Sequence, residues 1–237
     1  IITNNRFKPR STVAIWPAAS RDDDVLIYED EKRSRVRATL HFLRQQKERS
    51  GNEPYLCLAD FVAPEAAGRQ DYVGGFAVSM GDEVGVWAKT FADALDDYTS
   101  IMIKALGDRC AEAFTELVHK RVRTIWGFGG NEDLTIEELI KEKYRGIRPA
   151  PGYPACPDHA EKRTLFTLLD VQKRAGMRLT ESCAMEPASS VSGYYFGHPE
   201  ARYFRVGTIG RDQVDDYAAR KGMNLAAVER WLNPNLG

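Results

Sequence analysis

Apolar and polar positions first alternate on the short scale of strands. Residues 12–18 (TVAIWPA) are rich in strand-forming types, and a polar RDDD turn separates them from VLIYED, which predicts a hairpin. After EKRSR, the segment VRATLHFLRQQKERSG has an early half that suits strand or helix. Its later half predicts a helix that stops at Gly51. Residues 55–64 (YLCLADFVAP) and 71–80 (DYVGGFAVSM) predict two further strands. The glycine pair in the second marks a bulge or a close backbone approach.

The period then lengthens. Across residues 88–124, Leu95, Tyr98, Met102, Leu106, Cys110, Ala113, Phe114 and Leu117 recur every three or four residues, which predicts one long helix with a single apolar stripe. Asp108, Glu112 and Glu116 follow at i, i+4 on another face, the pattern of a solvated side. A second helix is expected at TIEELIKEKY, where Thr135 and Glu138 fit a capping box. A third is expected at HAEKRTLFTLLDVQKRAG, capped by Asp158 with Glu161 and stopped by Gly176. Strands are expected in LTESCAMEP, in residues 190–199 and in residues 203–210, the last two forming an antiparallel hairpin across HPEAR. Two short amphipathic helices around Gly222 close the chain. Strands and helices come in clusters rather than in βαβ alternation, so the expected class is α+β, an antiparallel β-sheet with flanking helices. There is no repeat, low-complexity tract or linker, and residues 1–237 read as one domain.

Composition narrows the function. Hydrophobic residues make up 43% and charged residues 28% of the 237, ordinary values for a folded soluble chain. With 33 Lys+Arg against 34 Asp+Glu, the net charge of -1 argues against general nucleic-acid binding, which neutralises phosphates with a basic face. No apolar run approaches the roughly 18 residues of a membrane span. The N-terminus lacks a signal-peptide core and begins with two isoleucines and no initiator methionine. A cytoplasmic piece of a longer protein is the expectation. Cys57, Cys110, Cys156 and Cys183 are scattered, as are His41, His119, His159 and His198, so neither a disulfide framework nor a metal site is indicated.

Familiar catalytic motifs are absent. GFGG at residues 127–130 lacks the spacing and the preceding strand of a dinucleotide fingerprint, and no P-loop or nucleophile elbow occurs. Residues 148–157 (RPAPGYPACP) are different. Pro149, Pro151, Pro154 and Pro157 fix φ, remove backbone donors and extend the residue before each. The strip is therefore stiff and non-helical, with carbonyls that regular structure cannot all consume. Gly152 opens it to close approach, Arg148 can grip a carboxylate with two parallel bonds, and Tyr153 adds a ring. Such a strip suits a zwitterionic ligand with a positive centre. It equally suits a rigid connector with Arg148 in an ordinary salt bridge.

The segments LRQQ, LADFVAP, DDYTSIMIKAL, AEAF, EELI, GIRPAPGYPACP, GMRLTES, SVSGYYF, RDQVDDYAARKGM and VERWLNPNLG occur in this order across the chain. In them the chain resembles the C-terminal S-adenosylmethionine-binding reactivation (activation) domain of cobalamin-dependent methionine synthase. The resemblance implies a module that binds S-adenosylmethionine and presents its methyl group to cob(I)alamin, during reductive methylation of inactive cob(II)alamin. The cobalamin is bound by a neighbouring module of the same enzyme, and the electron comes from flavodoxin or a flavoprotein reductase. The module's share is positioning, and no side chain acts as nucleophile or base. The fragment alone is not expected to be catalytic.

The resemblance places Arg148 on the donor's carboxylate, Ala150 and Gly152 as backbone contacts, and Glu142 in the same region. Tyr203 and Phe204 match an aromatic pair near the adenosyl group, with Phe204 standing where tyrosine also occurs in relatives. Tyr153, Asp108 and Glu112 match cobalamin-facing positions. The family's domain has a further N-terminal segment that supplies an aspartate for the donor's amino group. The chain begins after it, and neither Asp60 nor Asp71 takes its place. Loss of one charge-assisted contact costs on the order of 1.5–3 kcal/mol, so weak or undetectable donor binding is expected. An alternative is an interaction module or split-enzyme subunit, which caps the cobalamin domain and docks a flavoprotein without binding the donor. The zinc, homocysteine and folate sites of the whole enzyme are not expected in this chain.

Overall fold

β1 (Arg10–Arg21) and β2 (Asp24–Tyr28) form the expected hairpin, with Ala18 opposite Ile27 and Ser20 opposite Val25. Its turn holds Asp22 at φ 52°, a left-handed conformation that Asp tolerates. β3 (Val36–His41) runs antiparallel to β2 and resolves the ambiguous VRATLH segment as strand. With β4 (Asp71–Ser79) and β7 (Ser190–Tyr195) these make a five-stranded sheet in the order β3-β2-β1-β4-β7. β5 (Arg178–Leu179) and β6 (Met185–Glu186) form a separate two-stranded ladder. The expected α+β class, an antiparallel sheet with flanking helices, is the one observed. This computed structural model describes residues 6–47, 51 and 53–237.

The chain folds as two compact units. One comprises Ile1–Ala14, Gly75–Tyr144 and Leu165–Gly193, and the other Ile15–Gly74, Arg145–Thr164 and Tyr194–Gly237.

In the first unit the expected long helix is two. α1 (Glu83–Asp93) stops before Leu95, whose φ is 61°, and α2 (Asp97–Trp126) starts with Asp96 accepting the Thr99 N–H at 3.0 Å. The buried face of α2 also differs from the expected stripe. Ser100, Ile103, Gly107, Ala111, Thr115 and Val118 are buried, whereas Leu95, Tyr98, Met102, Leu106 and Leu117 are exposed. Close approach explains the choice. A Cβ at Gly107 would lie 2.6 Å from both Val84 Cγ1 and Ser189 Oγ, so small residues occupy that face. Cys110 and Phe114 do pack inward, against a core of Phe7, Met80, Val84, Ala88, Ile103 and Ala111. Gly127 ends α2 in the left-handed region, and Thr135 and Glu138 make the expected capping box of α3 (Ile136–Ile140).

α4 (Glu161–Leu169) and α5 (Val171–Ala175) break at Asp170, and Gly176 stops α5 as expected. In the second unit, α6 (Arg211–Lys221) and α7 (Leu225–Leu232) turn at Gly222, also as expected. They bury Val214, Tyr217, Val228 and Leu232 against Leu43, Val206 and Ile209.

Three expectations fail in this unit. Residues 42–47 are not helical. Phe42 and Leu43 are both buried, the Gln45 N–H bonds Leu56 O at 3.1 Å, and the Gln45 amide bonds Arg205 O at 2.7 Å. The rest of that expected helix includes residues 48–50, which lie outside the described ones. Residues 55–64 form no strand but a 3-10 turn at Leu58–Phe61, because the Asp60 carboxylate accepts the Cys57 N–H at 2.8 Å and curls the chain. Residues 203–210 form no hairpin strand. Val206 donates to Pro154 O at 2.9 Å, and Ile209 bridges Leu236.

Candidate functional site

The proline-rich loop lies in the second unit, anchored at its head by a bridge between Ile147 and Phe196, with both backbone bonds at 3.0 Å. Tyr194 N–H donates to Pro149 O at 2.9 Å, so the loop runs beside the end of β7. Ala150 O accepts the Tyr153 N–H at 3.1 Å, closing a turn with Pro151 and Gly152 at its centre. Gly152 has φ 96°, which fits a turn with Pro then Gly at its central positions. The Gly152 N–H reaches Cys156 O at 2.7 Å, and Cys156 N–H returns to Tyr153 O at 2.9 Å. The carbonyls of Pro149, Ala150, Tyr153, Pro154 and Cys156 are thus engaged within the fold. The strip is stiffer, and offers fewer carbonyls, than its prolines alone imply.

Two aromatic residues join it from a distant stretch. The Arg148 backbone N–H donates to the Tyr203 hydroxyl at 3.1 Å. Phe204 packs on the core of α6 and α7, with its ring 6.4 Å from that of Phe61. Tyr153 is exposed, and Tyr203 is half-exposed. Arg148, a tight glycine turn and two accessible phenol rings therefore belong to one unit. A bidentate cation for a carboxylate beside flat apolar faces fits an amino-acid nucleoside better than a sugar or a phosphate.

Behind the loop lies a buried ionic cluster. Asp158, Glu161 and Lys221 are all inside, with Lys221 Nζ 2.8 Å from Glu161 Oε1 and also bonded to Asp158. The Tyr217 hydroxyl donates to Asp158 Oδ2 at 2.9 Å, and the Asp158 Oδ1 accepts the Ala160 N–H at 2.7 Å. Burial pushes the Glu161 carboxyl up despite Lys221. Burial opposes the charge on Lys221, but Glu161 and Asp158 outweigh it and hold that ammonium above its ordinary value. Burial, reinforced by the two carboxylates, also drives the Tyr217 phenol and the Cys156 thiol well up. The cap expected from Asp158 with Glu161 is not the one seen: Asp158 accepts the Ala160 N–H in the turn before α4, and Glu161, the first residue of α4, turns inward to this cluster.

A family model described as "Vitamin B12 dependent methionine synthase, activation domain" matches residues 1–222. The chain belongs to this family. Among solved structures it is similar to the "Crystal Structure of the MetH Reactivation Domain bound to AdoHcy", with a TM-score of 0.97 and 54% identity. The match covers 99% of this chain and 72% of that one.

The activation domain thus brings six expected positions into one unit: Arg148, Ala150, Gly152, Tyr153, Tyr203 and Phe204. The other three belong to the first unit. Glu142 is exposed at φ 52°, just after α3. Asp108 and Glu112 are exposed one turn apart on α2, where Asp108 accepts the Ser189 hydroxyl at 2.8 Å. The sequence reading missed His159, which rests against Gly152, and it missed the partnership of Lys221 with Asp158 and Glu161. The charges of PDHAEK directly after the loop were the available signal, but acids three residues apart fit a helix cap equally well. Among the described residues, no three His, Cys, Asp or Glu side chains group as metal ligands, and no helix is long and apolar enough to cross a membrane.

Proposed function

We propose that this activation domain binds S-adenosylmethionine along the Arg148–Tyr153 strip and presents its methyl group to the cobalamin of a neighbouring module. Arg148 holds the donor's carboxylate, the Ala150 and Gly152 backbone receives the amino-acid end, and Tyr203 with Phe204 flanks the adenosyl group. The observation that carries this reading is the bond from the Arg148 backbone N–H to the Tyr203 hydroxyl at 3.1 Å, which joins the head of the strip to the stretch that holds Tyr203 and Phe204. The similar reactivation domain bound to AdoHcy supports it, because AdoHcy is the donor after loss of its methyl group.

Cobalamin, carried by its own module, supplies a reduced cobalt nucleophile for the donor's methyl carbon. Everything this chain does is orientation. The strip fixes the amino-acid end, the aromatic pair fixes the base, and the sulfonium between them is held in one pose. Tyr153, Asp108 and Glu112 face the cobalamin module, and flavodoxin or a flavoprotein reductase delivers the electron. The setting is the cytoplasm.

A second reading has its own observation. Leu95, Tyr98, Ile101, Met102 and Leu106 form an exposed apolar row at the start of α2, which suits an interaction module that caps the cobalamin domain or docks a flavoprotein. Arg148→Ala in the whole enzyme separates the two readings. Donor binding requires that reactivation be lost while module docking persists; pure docking requires that reactivation survive.

A further inference from the structure

The turn at Gly152 is covered from one side by His159. A Cβ built at Gly152 would lie 2.2 Å from His159 Cε1, 2.4 Å from Nδ1 and 2.7 Å from Nε2. The imidazole therefore rests on a bare Cα, a contact that only glycine permits. His159 is itself exposed, but the chain on both sides of it is held. The Gly152–Cys156 and Cys156–Tyr153 backbone bonds fold residues 152–156 back on themselves. Just beyond them, Tyr217, Lys221 and the Ala160 N–H clamp Asp158, the residue before His159.

The ring itself is oriented by Lys162, whose Nζ lies 2.9 Å from His159 Nδ1. An ammonium has only donors, so Nδ1 accepts and the neutral ring carries its proton on Nε2. Burial, then Lys162, holds the imidazole below its ordinary value of 6.5, with Asp158 opposing. The charged groups that face it are Lys162 from α4 and Asp158 from the preceding segment. The turn packed against it contributes the uncharged Gly152.

We infer that His159 is a positioning residue: its ring, oriented by Lys162, holds the 150–153 turn in the shape that the donor site uses. The inference rests on the reading of that turn as part of the donor site. Protonation places a hydrogen on Nδ1, which can then no longer accept from Lys162 and meets it with like charge. The ring swings away, Gly152 loses the surface that fixes it, and ligand binding weakens as pH falls.

The test is a titration of the protein with AdoHcy between about pH 5 and 8, read from the amide shifts of Gly152 and Tyr153, with the His159 ring proton followed in parallel. Wild-type affinity is expected to fall about tenfold in step with ring protonation. His159→Ala is expected to be about tenfold weaker at the upper pH and independent of pH there. His159→Asn, whose amide oxygen replaces Nδ1 as acceptor, recovers most of the affinity without the pH dependence. Lys162→Met moves the midpoint to higher pH. An Ala variant with wild-type affinity and pH profile overturns the inference. Amide exchange at Gly152 gives a readout that needs no ligand: it should quicken about tenfold in the Ala variant, with Ala160 unchanged. If the wild type shows no saturable AdoHcy binding even at millimolar ligand, the donor-site reading fails, and unchanged Gly152 exchange in the variant still overturns the positioning role.

Discussion

The Tyr203 hydroxyl accepts the backbone N–H of Arg148 at 3.1 Å, tying two stretches of chain 55 residues apart. The bond fixes where the Arg148 side chain begins without using the guanidinium. Tyr203→Phe keeps the ring and removes the acceptor. Since Tyr203 is half-exposed, water can take the place of its hydroxyl at little cost to the fold, and stability should change by less than about 1 kcal/mol. Donor binding should weaken by about tenfold, because the arginine loses its fixed origin. A thermal melt beside an AdoHcy shift titration checks both parts.

Lys221 is shared between two buried carboxyl groups, those of Asp158 and Glu161. Lys221→Met leaves Asp158 and Glu161 without their cation inside the protein, and the expected cost is about 3–5 kcal/mol. The double variant Lys221→Met, Glu161→Gln should recover part of that loss. Denaturant unfolding of the three proteins measures it, and an additive double variant contradicts the coupling.

Stability should fall on the alkaline side. The Lys221 ammonium is held above its ordinary 10.5, the Tyr194 and Tyr217 phenols well above 10.0, and the Cys156 thiol well above 9.0. In each case the unfolded chain loses the proton first, so the folded chain binds more protons and stability drops as pH rises. The contribution is complete below the ordinary values and is lost as pH climbs through the folded ones. Glu161 has the same sign lower down: its carboxyl is raised above 4.5, so its contribution is full below that and declines above it. Melting temperature against pH should therefore bend downward from about pH 9, less steeply in Tyr217→Phe. Glu161→Gln should remove the slope just above the ordinary carboxylate value.

The two faces of α2 should respond differently to substitution. Ile103→Ala empties a packed core site and should cost about 2–4 kcal/mol. Tyr98→Gln and Met102→Gln lie on the exposed row and should each stay within about 0.5 kcal/mol. Urea unfolding of the single variants distinguishes this assignment from the reverse one.

That reversal shows where sequence reading stopped. Hairpins, caps and glycine stops depend on a few neighbouring residues, so β1–β2, the Thr135–Glu138 box and the Gly176 and Gly222 stops were legible. The inner face of α2 was not, because a helix packed at short range selects Gly107, Ala111 and Ser100 for their small size. Hydrophobic periodicity picked the larger, outward residues instead. Residues 42–47 and 203–210 were misread for a related reason: Gln45 and Val206 take distant backbone partners that no local pattern reveals. The loop itself was legible as stiff and open at Gly152. The occupant of that opening, His159, depends on a return of the chain that the prolines do not disclose.

The central claim is that Arg148 grips the carboxylate of the methyl donor. The most direct measurement is an AdoHcy titration of wild type, Arg148→Lys and Arg148→Ala, followed by amide shifts up to millimolar ligand so that weak binding registers. The predicted result is saturable shifts at Gly152 and Tyr153 in the wild type, with at least about tenfold weaker binding in the Ala variant. The Lys variant should lie between, since an ammonium keeps the charge and loses the paired geometry. Equal affinity in all three proteins, or shifts confined to residues away from the loop, would contradict it.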